Sequence, residues 1–245
     1  MSFGDKNFTY GPKIVKDGLV FYMDAANPKS YVSGDTTTND LISSIGGTLE
    51  GGTGFLTENK GVWEFDGTDD YIDFGNHTEF RPEYNEPFSC MLWIKRDRTA
   101  TNEYLLSSFK HSSGANRGWS LYFIATSGQF RFQLQDNTGQ AIIVKDPVGV
   151  NDTTQFHCIG VSYDGSVSAS GVTIFRDGTF PSMVTDADNL GTDMIPTHPF
   201  RIGSPSDIVI STFKGIVGVV FLYRKELSPE EFTQNYNSLK GRFGL

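Results

Sequence analysis

The chain has 245 residues, a formal net charge of −9, 13% aromatic and 20% charged residues. That charge excludes a phosphate-backbone partner, since binding DNA or RNA rests on Lys and Arg neutralising phosphates, and it argues against an anionic membrane surface. Length fits one large all-β sandwich or two small domains, and in either case a core large enough to need no disulfide or metal.

Residues 1–13 are polar and irregular and read as an N-terminal arm. The first clear strand is 18–25, where Leu19, Phe21 and Met23 alternate with Val20 and Tyr22. Residues 27–61 are mostly Gly, Ser, Thr and Asn, a surface excursion with a short strand expected around 48–50. In 61–74, Val62 and Glu64 point one way and Trp63 and Phe65 the other, and Tyr71, Ile72 and Phe74 resume the run. Period-two residues on both sides of Asp66-Gly67 predict two strands joined by a tight turn. Further strands are expected at 88–95, 103–109, 119–125, 130–135, 141–145, 155–163, 172–176, 200–203 and 213–223. The segment 130–135, Phe-Arg-Phe-Gln-Leu-Gln, is the cleanest, with one dry and one wet face. This spacing, without helical patterns between strands, means a sandwich or barrel.

One helix is expected, over 228–240. Ser228 supplies a hydroxyl N-cap, Pro229 the first helical position and Glu231 the reciprocal glutamate. Phe232, Tyr236 and Leu239 form a narrow apolar stripe, so the helix should lie on the sandwich surface. Neither repeats nor a linker are present, which implies one domain.

Chemistry is sparse. Cys90 and Cys158 each share a strand face with apolar residues and read as buried free thiols. The four histidines never fall at a metal-ligand spacing, and His157, between Phe156 and Cys158, reads as structural. Asp66, Asp69 and Asp70 are the best metal candidates, because calcium takes six to eight oxygens and closely spaced carboxylates can supply some. The alternative is that Asp66 caps its turn while the other two are solvated. Trp93, Trp119, Tyr122 and Tyr163 are the aromatic candidates for a sugar-stacking platform, against the reading that strand aromatics belong to the core. Trp93 alternates with the apparent core face of its strand and is the freest of them. Lys95, Arg96 and Arg98 read as a solvated turn that an acidic saccharide could use.

Seven segments, in order over about residues 16–240, resemble the laminin-G-like, concanavalin A-like jelly rolls. They include Phe65-Asp66-Gly67-Thr68-Asp69-Asp70-Tyr71-Ile72, Phe88-Ser89-Cys90-Met91-Leu92-Trp93-Ile94-Lys95, Phe156 to Gly165, Phe175-Arg176-Asp177-Gly178 and Leu227-Ser228-Pro229-Glu230-Glu231-Phe232. The resemblance implies two packed antiparallel sheets of about six or seven strands in a jelly-roll sandwich over 14–240, with one short C-terminal helix and a tail at 241–245. It also implies a calcium ion at a sandwich rim in many members, with no cofactor required. Glucanases share the architecture and need two carboxyls about 5–5.5 Å apart. Glu64-Phe65-Asp66 begins their motif, but Thr68 and Asp69 stand where the second glutamate should be, so no enzyme is expected.

The ends, 23–28 and 234–245, are similar to virion proteins of tailed bacteriophages. That similarity implies a non-enzymatic structural protein of the capsid or tail, made in the host cytoplasm and homo-oligomeric. Its partners would be other virion proteins and surface glycans, with the arm and tail as anchors. A tail-fibre receptor-binding lectin and a polysaccharide hydrolase are the alternatives. No run of about 20 apolar residues is present to cross a membrane, and no secretion signal is expected at the N-terminus.

Overall fold

A computed structural model describes residues 13–98, 100–111, 117–192, 194 and 198–245. Of the expected arm, 1–12 lie outside the described residues. Two antiparallel sheets pack face to face as a sandwich, with one short C-terminal helix.

The seven-stranded sheet runs β13 (Val172–Arg176), β12 (His157–Tyr163), β7 (Phe88–Arg96), β16 (Lys214–Tyr223), β5 (Val62–Asp66) and β4 (Gly54–Leu56), with β1 (Leu19–Asp24) also on β16. The long β16 makes this possible: Lys214 to Val217 pair with β5, and Val219 to Tyr223 pair with β1. The nine-stranded sheet runs β14 (Val184–Asp188), β11 (Ala141–Lys145), β10 (Phe130–Gln135), β9 (Arg117–Phe123), β8 (Glu103–Lys110), β15 (Arg201–Ile202), β6 (Tyr71–Asp73), β3 (Gly46–Glu50) and β2 (Thr37–Asn39). It is wider than expected because β2 joins the expected β3 at one edge, and the exposed β14 pairs with β11 at the other.

The expected hairpin at Asp66-Gly67 does not form. β5 and β6 belong to different sheets, so the chain between them climbs the rim of the sandwich. Alternation identified both strands, but each finds a partner far away in sequence: β5 pairs with β16, and β6 with β15 and β3. The rim crossing is closed by Asp70, whose Oδ2 accepts the Asp66 N–H at 2.7 Å.

The core between the sheets is aromatic. Phe21, Phe74, Phe80 and Phe200 cluster with ring centroids 4.9–6.4 Å apart, and Phe65, Trp63, Leu92, Phe132 and Val220 belong to the same buried cluster. Edge-to-face aromatic pairs add about 0.5–1.5 kcal/mol each beyond their burial. Cys90 lies in this core and Cys158 outside it, both as buried free thiols; burial pushes the Cys90 thiol up to about 12.

A second apolar cluster sits on the other face of the seven-stranded sheet. The helix α1 (Pro229–Leu239) caps it, starting as the sequence implies: Glu231 N–H donates to Ser228 Oγ, and Ser228 N–H donates to Glu231 Oε2. Phe232 stacks on Phe175 at 5.2 Å. Beyond the helix a short 3-10 turn, Lys240–Arg242, brings Phe243 onto Trp93 (4.5 Å, near-parallel rings) and Phe156 (4.8 Å). Arg242 donates to Asp24 Oδ1 and to the carbonyls of Asn59 and Gly61, each at 2.7 Å. The C-terminal residues 242–243 are therefore bound to their own sandwich. At the other end of the chain, Val15 N–H donates to Asn235 Oδ1 at 2.8 Å.

Candidate functional site

The cap covers only half of its sheet face. Along β5, Val62 faces the capped cluster, and the next two residues on that face, Glu64 and Asp66, are exposed. On β7, Trp93 is capped and Lys95 is not. On β16, Val219 is capped and Lys214 is not. Cross-strand register brings these uncovered positions together: Glu64 and Lys95 both oppose Ile216, and Asp66 opposes Lys214. The result is a cleft of about 680 Å³, walled on one side by Gly51, Gly52 and Gly54 and on the other by Asp97 and Thr153. Glycine makes the wall open: a Cβ on Gly54 would stand 3.3 Å from Glu64 Oε2, in the mouth of the cleft.

The charges of the cleft are unevenly matched. Lys95 pairs with Glu58 at 3.3 Å and Lys214 with Asp97 at 2.9 Å. Arg96, expected in a solvated turn, is instead fully buried on the inner face of β7. It forms an ion pair with the equally buried Glu103 of the opposite sheet at 2.7 Å, and its Nη1 donates to Val150 O. Arg98 takes the other Glu103 oxygen at 3.0 Å. Removing one partner from such a buried pair costs about 3–5 kcal/mol, so these arginines lock the two sheets and are spoken for. Among the described residues the carboxylates of Glu64, Asp66 and Asp70 form no ion pair within 4.0 Å, although Lys214, paired with Asp97, stands opposite Asp66.

The structure brings Asp66, Asp69 and Asp70 together, with one oxygen of each lying within 4.8 Å of the others. Asp66 does cap its turn, Oδ1 accepting the Thr68 N–H at 2.7 Å. Asp70 is 4% exposed, and burial, reinforced by the charges of Asp66, Asp69 and Glu64, raises its carboxyl above the usual range. Three carboxylates on a crowded turn, one of them buried without a cation, suit a hard divalent ion in donor type, and they supply only part of the oxygens that calcium needs.

The aromatic candidates are not brought together. Trp93 is fully buried between Tyr236 (5.4 Å) and Phe243 (4.5 Å). Its face is opposite the inner core, as the alternation implied, but the helix and the C-terminal residues cover it. Trp119 lies in the inner core and donates Nε1–H to Phe80 O at 3.0 Å. Tyr163 is buried, its hydroxyl bridging Tyr84 O and Val167 N–H. Tyr122 lies on the outer face of the nine-stranded sheet, stacked on Tyr104 at 4.8 Å and 7% exposed, with Arg131 on its hydroxyl. Trp93, Trp119 and Tyr163 present no ring to a sugar. The cleft residues Lys214, Asp97 and Gly54 drew no attention in the sequence, where the only available signal was a charged residue at alternate positions of three separate strands.

A profile described as "Concanavalin A-like lectin/glucanases superfamily" matches residues 66–232. The chain belongs to this superfamily. No curated protein matches it. Among solved structures, this superfamily chain is similar to Trypanosoma rangeli sialidase in complex with sialic acid (TM-score 0.67, 14% identity), covering 94% of this chain and 34% of that one. It is similar to the binding domain of Paraclostridial Mosquitocidal Protein 1 (TM-score 0.65, 13% identity; 90% and 52% covered). It is also similar to domain 4 of a GH43 extracellular arabinanase from Geobacillus stearothermophilus in complex with arabinotriose (TM-score 0.65, 14% identity; 91% and 100% covered). This superfamily member thus spans about a third of the sialidase and half of the toxin binding domain, but all of the arabinanase domain. At these identities the likeness is one of fold.

Proposed function

We propose that this sandwich is a non-enzymatic, lectin-like carbohydrate-binding protein, and that the open cleft on the seven-stranded sheet is where it binds. The observation that carries this reading is the half-capped sheet: α1 and Phe243 seal one half with aromatic side chains, while the other half stays open, polar and walled by glycine. The superfamily is one of lectins and glucanases, and a solved neighbour that this chain covers throughout was determined with arabinotriose. Hydrogen-bonding carboxylates and lysines along a groove match sugar hydroxyls, and Glu58 and Asp97 hold Lys95 and Lys214 in place.

A non-catalytic role is supported by the interrupted Glu64-Phe65-Asp66 pattern and by the engagement of Asp66 and Asp70 in the turn. Calcium is the proposed, non-essential cation of Asp66, Asp69 and Asp70. The finer reading, display on a tailed-phage particle among other virion proteins, is supported by the two terminal segments that resemble such proteins. In the fold these segments meet, Arg242 pairing with Asp24 at 2.7 Å.

A glycan array followed by titration of any hit against wild type and Glu64→Gln tests the proposal. Selective binding that Glu64→Gln weakens supports it, and binding that Glu64→Gln leaves unchanged moves the site off the cleft. Release of reducing ends from any polysaccharide, lost in Glu64→Gln, would replace a lectin by a hydrolase. Particle purification with mass spectrometry tests the virion reading, which fails if the protein is absent.

A further inference from the structure

The cleft is fastened from behind by a side chain that does not line it. Arg98, just past β7, donates in three directions: from Nε to Glu103 Oε1 at 3.0 Å, from Nη1 to the Gly67 carbonyl at 3.2 Å, and from Nη2 to the Thr212 carbonyl. Gly67 follows Asp66, and Thr212 lies two residues before Lys214. The fork therefore ties together two strand ends whose side chains, Asp66 and Lys214, oppose one another in register at the cleft. Glu103 completes the tie: the same Oε1 accepts the Lys214 N–H at 3.1 Å, and its other oxygen is held by Arg96. The packing leaves no slack. Gly67 has φ +77°, and a Cβ there would stand 2.7 Å from Lys214 Cβ and 2.8 Å from Arg98 Nη1.

Resting on the carbohydrate-binding reading, we infer that Arg98 is the positioning residue of this cleft, holding Asp66 and Lys214 at a spacing that one saccharide hydroxyl bridges. A carboxylate only accepts and an ammonium only donates, whereas a hydroxyl does both, so it can donate to Asp66 and accept from Lys214 at once. The two charges do not pair with each other: Lys214 goes to Asp97 at 2.9 Å, and the backbone behind both is fixed by Arg98 and Glu103. Arginine suits this task and lysine does not. A planar fork with five donors serves three acceptors at fixed angles, while an ammonium is a point charge on a flexible stem. Support of this kind from behind a site keeps its contact groups in productive geometry.

The test compares wild type, Arg98→Lys, Gly67→Ala and the double variant, with Glu64→Gln as the control for the cleft itself. Each is titrated calorimetrically with cellotriose, xylotriose, mannotriose and galactotriose, well below its melting temperature. Arg98→Lys keeps a charge beside Glu103 and loses the fork, so affinity is expected to fall roughly tenfold, the low end of what losing an outer partner costs a metal site. Gly67→Ala pushes the same turn off the same guanidinium and should lose a similar factor, and the double variant little more than either alone, as coupled neighbours do. Hydrogen exchange of the Thr68 amide, which donates to Asp66 Oδ1, should quicken in both. Arg98→Lys carries the test alone should Gly67→Ala not fold. An arginine that only locks the sheets would lower the melting temperature and leave affinity and Thr68 exchange at wild-type levels, which overturns the inference. If Glu64→Gln weakens a trisaccharide and Arg98→Lys does not, the positioning role falls and the carbohydrate reading stands. No binding of any trisaccharide by folded wild type removes both.

Discussion

The two halves of one sheet face make an instructive pair. Both halves are built from β5, β7 and β16, with side chains leaving the sheet in one direction, and the pairing of β16 with β7 shifts register between them, at Val217/Val219. In one half the outward residues are Val62, Trp93, Val219 and Phe221, and the chain spends its last fifteen or so residues covering them. In the other half they are Glu64, Asp66, Lys95 and Lys214, and nothing among the described residues covers them. A sheet face is sealed where burial is worth about 25 cal/mol per Å² of apolar surface, and stays open where sealing would strand charges. The boundary falls at Ile216, 8% exposed, which belongs to the apolar cluster and also lines the cleft.

Substitutions should hurt the two halves differently. The largest effect is expected for Trp93→Ala, a loss of about 3–5 kcal/mol in urea unfolding, because it empties the centre of the capped half. Phe243→Ala should cost about 3 kcal/mol and shift the tryptophan fluorescence of the folded protein, since it uncovers Trp93; no change in either would show that the C-terminal residues do not seal that half. Gly218→Ala should cost about 1–3 kcal/mol, because its Cβ would stand 2.6 Å from the Phe243 ring. Gly54→Ala is its counterpart in the open half. Its Cβ would crowd only the mobile Glu64 Oε2, at 3.3 Å, and would meet the Glu64 Cβ (3.4 Å) and O (3.8 Å) at ordinary contact distances, so stability should stay within about 0.5 kcal/mol while saccharide affinity falls.

The smallest effect is one of pH. Burial raises the Asp70 carboxyl in the fold above its ordinary value of 3.8, so the folded state holds that proton more tightly than the unfolded chain does. Stability relative to Asp70→Asn should therefore fall as pH rises from 3.8 through the raised value, and level off above it. A difference that instead grows with pH would mean that the carboxylate is compensated, by calcium for example, and repeating the series with calcium and with EGTA would tell.

These comparisons also separate what was legible in the sequence from what was not. The strands 130–135, 141–145 and 172–176 were read from alternation to the residue, and the helix start from Ser228, Pro229 and Glu231, because both signals are local. Partner choice is not local. The Asp66-Gly67 turn looked like a hairpin, since period-two flanks and a turn between them carry no information on which sheet each strand joins. The polar stretch 27–61 carries the pattern of an excursion with one strand, yet it contributes β2, β3 and β4. Edge strands need only their backbone hydrogen bonds and leave little apolar pattern.

The candidate site divides the same way. The clustering of Asp66, Asp69 and Asp70 was legible because the three lie within one turn. The fate of Trp93 was half legible: alternation gave its face, and only the fold of residues 229–243, 136 and more positions later, decided that the face would be covered. The cleft was not legible at all. Glu64, Lys95 and Lys214 sit on three strands brought together by long-range pairing, and no sequence interval links them. By itself, then, the sequence determined the strands with an alternating apolar pattern, the faces of their side chains, the helix cap and the acidic turn, all consequences of backbone geometry within a few residues. Tertiary structure alone decided which strands are neighbours, which half of a face is sealed and which charges are left without a partner, because those depend on contacts between residues far apart along the chain.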